Sequence, residues 1–97
     1  MAPTSPRIGL IGYGYIGRYI YEQIVTRPEL GLQIGFVHNR SAEAVAELPT
    51  DIVLEDVGDF AGCGVDLIVE LAHPDVTRLH GESFLQETDY MPLSLTA

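Results

Sequence analysis

The sequence contains no lysine, no tryptophan and a single cysteine, Cys63. One cysteine excludes an internal disulfide and any zinc site built from cysteines alone. It is also typical of a reducing compartment, so we expect a cytoplasmic protein. No apolar run approaches the ~20 residues that span a bilayer, and the first residues lack the basic and apolar segments of a secretory signal. We therefore expect no membrane partner.

Basic residues are scarce, with five arginines against fourteen acidic residues and a net charge of −9. Four arginines and two acids lie in residues 1–40, whereas one arginine and twelve acids follow from Ser41 onward. Sequence-independent nucleic-acid binding needs clustered basic residues, so we expect no nucleic-acid partner. The mildly positive first part suits a small phosphorylated ligand, and the acidic remainder is typical of solvated helix faces and loops.

With 97 residues, 46% of them apolar and 20% charged, the chain has the balance of one globular domain. Residues 1–6 contain two prolines and predict a loose leader. From there short apolar runs alternate with segments of helical period. The predicted strands are Arg7–Ile11, Leu32–Val37, Ile52–Leu54, Val65–Leu71 and Tyr90–Leu95, and the predicted helices run from Ile16 to Pro28, over Ala42–Leu48 behind the cap Ser41, and from Pro74 to about Thr88.

This alternation predicts an α/β fold, a doubly wound parallel sheet of the Rossmann type with about five strands in the order 3-2-1-4-5. Helical spacing assigns the inward faces of the first and last helices to Ile16, Tyr19, Ile20, Ile24, Val76, Leu79 and Phe84. Proline cannot donate to a ladder, so Pro92 sits awkwardly in the fifth strand. We expect no helix to cover that strand, leaving Leu93 and Leu95 exposed and the isolated chain prone to self-association.

A glycine motif follows the first strand and opens the first helix, Gly12-Tyr13-Gly14-Tyr15-Ile16-Gly17. In a G-x-G-x-x-G turn the first glycine allows the sharp bend, the second leaves room for a pyrophosphate and the third lets the helix pack closely on the strand. The N–H groups of Tyr15 and Ile16, at the helix start, would then face the phosphates. The motif directly follows a predicted strand, opens a predicted helix and is followed by a second predicted strand. In this context it predicts dinucleotide binding, the alternative being a tight turn with no ligand.

The end of the second strand bears on which dinucleotide binds. An NAD-selective site usually has an acid about 20 residues after the glycines, whereas this chain has His38-Asn39-Arg40. Asn39 can bind a ribose hydroxyl without repelling a 2′-phosphate, and Arg40 can pair with that phosphate or stack on adenine. The pattern favours NADP, or use of both NADP and NAD, over NAD alone. Alternatively, Arg40 is a solvent-facing loop residue.

Several other residues are further candidates for the functional site. Ala72 and His73 follow the fourth strand at the edge that lines the crevice of a parallel sheet, so His73 is a candidate contact for the nicotinamide ribose, or else a partly buried polar residue. His80 is expected at the surface, away from the crevice, and Cys63 has no base beside it that would make it a nucleophile. The remaining candidates are acids in the fourth strand, either catalytic carboxylates or structural groups that pair with an arginine, namely Asp66 and Glu70.

Three segments together resemble the L-aspartate dehydrogenases: Ile8–Gly17, Phe36–Arg40 and Asp66–Pro74. The resemblance runs from Arg7 to about Ala97, with Ser94 and Thr96 at a serine-rich strand end, and departs from the family at Pro92. It implies NAD(P)-dependent oxidative deamination of L-aspartate to iminoaspartate, which supplies pyridine-nucleotide synthesis. It also implies a second, substrate-binding domain that carries the catalytic histidine.

No residue of this chain matches that histidine, and His73 does not take its place. We therefore expect residues 7–97 to form an incomplete dinucleotide-binding domain, the substrate and catalytic domain being absent. The complete protein would be an amino-acid dehydrogenase, and the 97 residues alone would be inactive. The alternative is a truncated isoform or pseudo-enzyme that binds a nucleotide or a protein partner without catalysis.

Overall fold

The computed structural model describes residues 5–94. Its centre is a parallel sheet of four strands in the spatial order β2-β1-β3-β4, namely β1 (Arg7–Ile11), β2 (Gln33–His38), β3 (Leu67–Glu70) and β4 (Asp89–Pro92). Helix α1 (Tyr15–Thr26) connects β1 to β2, and helix α2 (Pro74–Glu87) connects β3 to β4. The predicted doubly wound parallel fold is confirmed.

The connection from β2 to β3 contains two short 3-10 helices, Ala42–Val45 and Val57–Cys63, and a third one, Pro28–Leu30, follows α1. The predicted helix Ala42–Leu48 is therefore shorter and of the 3-10 type, and Ser41 makes no side-chain cap to it. The predicted third strand, Ile52–Leu54, is reduced to one parallel bridge between Val37 and Val53. It lies beside β2, so the order of the sheet agrees with the prediction.

Apolar side chains of the sheet form two separate cores, one on each face. Strand residues pointing to one face pack with α1, and those pointing to the other pack with α2 and the 3-10 helix Val57–Cys63. The first core contains Ile8, Leu10, Ile24, Val37, Val45 and Val69. The second contains Ile11, Phe36, Phe60, Ile68 and Phe84. Burial of the sheet on both faces explains the nearly continuous apolar runs of β1 and β3.

An irregularity in β2 lets Phe36 join the second core. The register between β1 and β2 shifts after Ile8, which pairs with Ile34, whereas Gly9 pairs with Phe36, so Gly35 is the extra residue of the bulge. The Phe36 ring then lies over Gly9, where a Cβ atom would collide with it. The glycine at this position thus serves packing, not ligand binding.

Three residues assigned to inward helix faces are exposed. Ile16 and Tyr19 are each 60% exposed, and α1 packs instead through Ile24 and, half-buried, Ile20. Leu79 is 70% exposed, so α2 contacts the sheet through Phe84 with Val76 beside it. These three side chains lie in the N-terminal halves of the helices, which begin at the carboxyl edge of the sheet.

Strand β4 accommodates Pro92 because it pairs with β3 on one side only. The Leu93 N–H donates to the Glu70 carbonyl at 2.8 Å, and since successive N–H groups alternate in direction, the nitrogen of Pro92 faces away from β3. The predicted fifth strand is therefore shorter than expected and ends at Pro92, while Leu95 and Thr96 lie outside the described residues. Within residues 5–94, no helix has the length and apolarity that crossing a membrane requires.

Candidate functional site

A cleft of about 620 Å³ crosses the carboxyl edge of the sheet. Its walls come from the ends of β1, β2 and β3 and from the first turns of α2. In an open parallel sheet this edge, where the strand order reverses, is the usual place for a ligand. Among the predicted site residues, those that line the cleft are Gly12, Gly14, Asn39, Arg40, Ala72 and His73.

Two glycines of the motif are required by the backbone itself. Gly12 has a φ of +103°, and a Cβ atom there would lie 2.8 Å from the Ala72 nitrogen. Gly17 is buried on the inner side of α1, where a Cβ atom would collide with the Gly12 carbonyl oxygen. The first and third glycines therefore set the turn and the close packing of α1 on β1, as predicted from the motif.

Gly14 differs from both, because its backbone needs no glycine. Its φ of −85° is available to any residue, and a Cβ atom would meet nothing within 4 Å. It is the N-cap of α1 and offers no side chain to the N–H groups that follow it. The N–H groups of Tyr15 and Ile16 open the helix, where no intrahelical acceptor exists for them. The second glycine thus leaves open space in front of a helix N-terminus.

Asn39 is committed to the glycine loop. Its Oδ1 accepts the Tyr13 N–H at 2.8 Å, and its Nδ2 donates to the Ser41 carbonyl at 3.1 Å. The His38 carbonyl accepts the Gly12 N–H at 2.7 Å, so the end of β2 holds the loop at two points. The sequence predicts Asn39 as a ribose ligand. In the structure its side-chain oxygen positions the glycine loop, and these two hydrogen bonds use only one of the two N–H groups of its amide.

Arg40 lies next along the chain and is exposed on the wall of the cleft. None of the ion pairs formed by the side chains of residues 5–94 involves it. Its guanidinium is therefore available to an anion at the β2 end of the cleft, and this placement agrees equally with a solvent-facing residue.

The turn after β3 forms the opposite wall. His73 is the N-cap of α2, and its Nδ1 accepts the Asp75 N–H at 3.0 Å. Because Nδ1 is the acceptor, the neutral ring carries its proton on Nε2. His73 is exposed to the cleft and can donate from Nε2 to a ligand oxygen.

Helix α2 contributes lining residues that the sequence analysis did not assign. His80 was expected away from the crevice, but it lines the cleft and stacks on Phe84, with ring centroids 5.8 Å apart. Leu79, expected in the core, also lines the cleft. Both follow from helical spacing after Asp75 and Val76, which line the same wall. The helical period of α2 identifies both residues as cleft-lining once the position of the sheet edge is known.

The two acids predicted in the fourth strand have structural partners, Glu70 as the last residue of β3 and Asp66 directly before it. Asp66 accepts the backbone N–H of Arg7 at 2.8 Å through Oδ2, so its partner is the main chain of an arginine and not the guanidinium. Glu70 is fully buried and accepts two backbone N–H groups. Neither side chain lines the cleft.

Cys63 lies at the opposite edge of the sheet, where its carbonyl accepts from the Arg7 side chain at 3.2 Å. Burial raises the pKa of its thiol, and the charge of Arg7 opposes that only in part. Burial likewise raises the pKa of Tyr13, whose ring packs edge-on against Tyr21 at 5.8 Å. No group of three or more His, Cys, Asp and Glu side chains within the described part of the chain is arranged to hold a metal ion.

Comparison with known proteins agrees with this geometry. A profile of the family described as "Homoserine dehydrogenase, NAD binding domain" matches residues 12–97. The chain is 37% identical over 93 residues to the aspartate dehydrogenase domain-containing protein of Danio rerio, and 39% identical over 93 residues to that of Xenopus tropicalis. Each match covers 94% of this chain, and the chain spans about a third of the length of these relatives, 34% and 33%.

These similarities confirm the resemblance to the N-terminal part of the aspartate dehydrogenases. The family match begins at Gly12, the first glycine of the motif, and continues through the turn after β3, so it includes both walls of the cleft. A nicotinamide dinucleotide is the ligand class of such domains, and the chain is a cofactor-binding part of the dehydrogenase type. The chain belongs to the family of homoserine dehydrogenase-type NAD-binding domains.

Proposed function

We propose that this chain is the cofactor-binding part of an NAD(P)-dependent L-aspartate dehydrogenase. The observation that carries the proposal is the cleft over the carboxyl ends of β1, β2 and β3, lined by Gly12 and Gly14. The open position at Gly14 lies in front of uncapped helix N–H groups, which is the cradle a pyrophosphate needs. The geometry of the residues present therefore fits a dinucleotide.

Each part of the cleft suits one part of such a ligand. The pyrophosphate would lie at Gly12, Gly14 and the N–H groups of Tyr15 and Ile16, with Gly17 beneath them. The adenosine half would lie at the β2 end, near Asn39 and Arg40, and the nicotinamide half at the β3 end, near Ala72 and His73. This division follows the topological switch point between β1 and β3.

The chemistry proposed for the complete protein is oxidative deamination. When bound, the oxidised nicotinamide supplies a hydride acceptor for the Cα hydrogen of L-aspartate, giving iminoaspartate, the reduced cofactor and a proton. This chain's residues bind and orient the cofactor. L-aspartate as substrate rests on the resemblance and on the two relatives, which are named as proteins that contain an aspartate dehydrogenase domain. A role in pyridine-nucleotide synthesis and a cytoplasmic location belong to the same proposal.

The end of β2 is followed by Asn39 and Arg40 where an NAD-selective site has an acid. This, with an Arg40 guanidinium that forms no ion pair within residues 5–94, favours NADP, or both cofactors, over NAD alone. We expect the chain to bind NADPH at least as tightly as NADH in a fluorescence titration. Loss of a charged hydrogen bond predicts that Arg40→Ala weakens NADPH binding about tenfold and leaves NADH binding within about twofold. Arg27→Ala, an exposed arginine at the far end of α1, is the control of equal charge.

Equal losses for both cofactors on Arg40→Ala would assign the side chain to adenine stacking and contradict a 2′-phosphate contact. Activity is tested separately, with the complete protein, L-aspartate and oxidised cofactor, by the absorbance of the reduced nicotinamide. Cofactor binding without turnover there would favour a non-catalytic nucleotide-binding module.

A further inference from the structure

Glu70 is a fully buried carboxylate in the last position of an otherwise apolar strand. A buried ionisable group is costly unless it is hydrogen-bonded. Glu70 directly precedes the segment 71–73, which lines the cleft. Its hydrogen bonds indicate what the carboxylate does there.

One carboxylate oxygen holds the wall of the cleft. Glu70 Oε2 accepts the N–H of Ala72 at 2.6 Å and the N–H of His73 at 2.7 Å. The ladder between β3 and β1 ends one residue earlier, where the Leu71 N–H donates to Ile11. The two N–H groups beyond that point have no carbonyl of a neighbouring strand as acceptor, and the carboxylate of Glu70 serves as their acceptor instead.

The other oxygen holds the next segment of the edge. Glu70 Oε1 accepts the hydroxyl of Ser94 at 2.5 Å, and the Glu70 carbonyl accepts the Leu93 N–H at 2.8 Å. One residue therefore fixes both segments that leave the sheet on this side, residues 71–73 after β3 and residues 93–94 after β4. Only the first of these segments lines the cleft, and the second braces the same carboxylate from the side of β4.

We propose that Glu70 is a positioning residue for the nicotinamide half of the cofactor, acting through the backbone of Ala72 and His73. The inference rests on the proposed function. The adenosine and pyrophosphate half is anchored separately, by the Gly12 N–H on His38 and the Tyr13 N–H on Asn39. Loss of the Glu70 carboxylate therefore affects one half of the ligand and spares the other.

Two substitutions separate this role from a general structural one. Glu70→Gln keeps an oxygen for the two N–H groups and presents an amide to Ser94, whose hydroxyl can accept as well as donate. Glu70→Met keeps the volume and removes both acceptors. Glu82→Gln and Glu82→Met, at an exposed position of α2, are the matched controls.

The measurement is the affinity of each variant for NADH and for ADP, which lacks the nicotinamide riboside. We expect Glu70→Met to weaken NADH binding about tenfold and ADP binding by less than about twofold, while Glu70→Gln and both controls keep the wild-type ratio. An unchanged ratio in Glu70→Met, or an equal loss in Glu70→Gln, overturns the proposal. If Glu70→Met does not fold, Ser94→Ala decides, with an expected change of about threefold in the same ratio and an unchanged ratio as the contrary result.

Amide hydrogen exchange in the free protein tests the positioning without a ligand. The Ala72 and His73 amides should exchange slowly in the wild type and in Glu70→Gln, and faster in Glu70→Met. Fast exchange of both amides in the wild type overturns the positioning role. Absence of binding of both NADH and ADP by a folded wild type contradicts the proposed function instead, so the two failures are distinct.

Discussion

At the residue scale, Tyr90 is a partly buried side chain whose titration links stability to pH. It lies 2.6 Å from the Thr77 hydroxyl, and its ring packs on Phe84 with centroids 5.0 Å apart. Burial raises the pKa of Tyr90 above its ordinary value of 10.0, the charge of Glu70 adds to this, and the Thr77 hydrogen bond opposes it. The folded protein thus keeps this proton at a pH where the unfolded chain has lost it.

Stability contributed by Tyr90 is therefore complete below the unfolded pKa and is lost as pH rises through the folded pKa. We expect Tyr90→Phe to flatten the fall in unfolding free energy above about pH 10, with Tyr13, whose pKa is also raised, still contributing. Urea denaturation across this range is the measurement. Tyr15→Phe, at a side chain 93% exposed, is the control, and identical slopes for all three proteins would contradict the account.

Prediction from sequence succeeded for residues whose role is fixed by the backbone and failed where a polar side chain had a choice of partner. The roles assigned to Gly12 and Gly17 follow from spacing alone, and the structure places both as expected. The sequence predicts Asn39 as a ribose ligand, and it leaves Glu70 open between a catalytic carboxylate and a structural group that pairs with an arginine. In the structure each side chain accepts main-chain N–H groups. The Asn39 contact joins two turns that are 26 residues apart in sequence, and the Glu70 contacts reach residues two and three positions on, so they depend on how the chain turns after β3. The sequence interval alone specifies neither.

At the scale of the element, the start of α2 depends on an unusual cap. Pro74 occupies the first helical position, and the His73 ring accepts the Asp75 N–H. Loss of a side-chain cap costs about 1 kcal/mol, so we expect His73→Ala to be less stable than the wild type by that amount. His73→Asn should restore the cap, because an Asn oxygen is a good acceptor there. Equal stability of the two variants in urea denaturation would contradict the capping role.

Elements with strong periodicity were predicted well and the connection from β2 to β3 was not. Strand β1 has the predicted bounds, and α1, β3 and α2 differ at their ends only. Residues 39–66 contain two 3-10 helices and one bridge where a helix and a strand were expected. Their few apolar residues, such as Val45, Val53 and Phe60, are spaced for packing against two different cores. The spacing of apolar residues along the chain does not show which face of the sheet each of them packs against.

At the scale of the whole molecule, apolar side chains remain on the side of the sheet that ends in β4. Among the described residues β4 pairs with β3 alone. Met91 pairs with Val69 in register and so lies on the face that bears α1, where it is 45% exposed. Leu93 is 46% exposed beside it. An open strand edge with apolar neighbours favours association between copies.

We therefore expect the chain to form dimers in sedimentation equilibrium as its concentration rises. Met91→Lys should shift it toward monomer, since charge on an edge strand opposes pairing. Val25→Lys, on an exposed position of α1, makes the same change of charge elsewhere and should have no effect. A wild type that stays monomeric at all concentrations, or an equal effect of both variants, contradicts the assignment to this edge.

The central claim is that the cleft holds a dinucleotide with its pyrophosphate at Gly14, and calorimetric titration of Gly14→Ala with NADH and NADPH tests it most directly. Within residues 5–94, a Cβ atom at Gly14 would meet no atom within 4 Å beyond its own helix and chain neighbours, and its φ is ordinary, so the variant should fold as the wild type does. Gly62→Ala is the matched control, since its Cβ atom also meets open space. The account predicts loss of cofactor binding in Gly14→Ala and unchanged binding in Gly62→Ala. Wild-type affinity in a folded Gly14→Ala would contradict it.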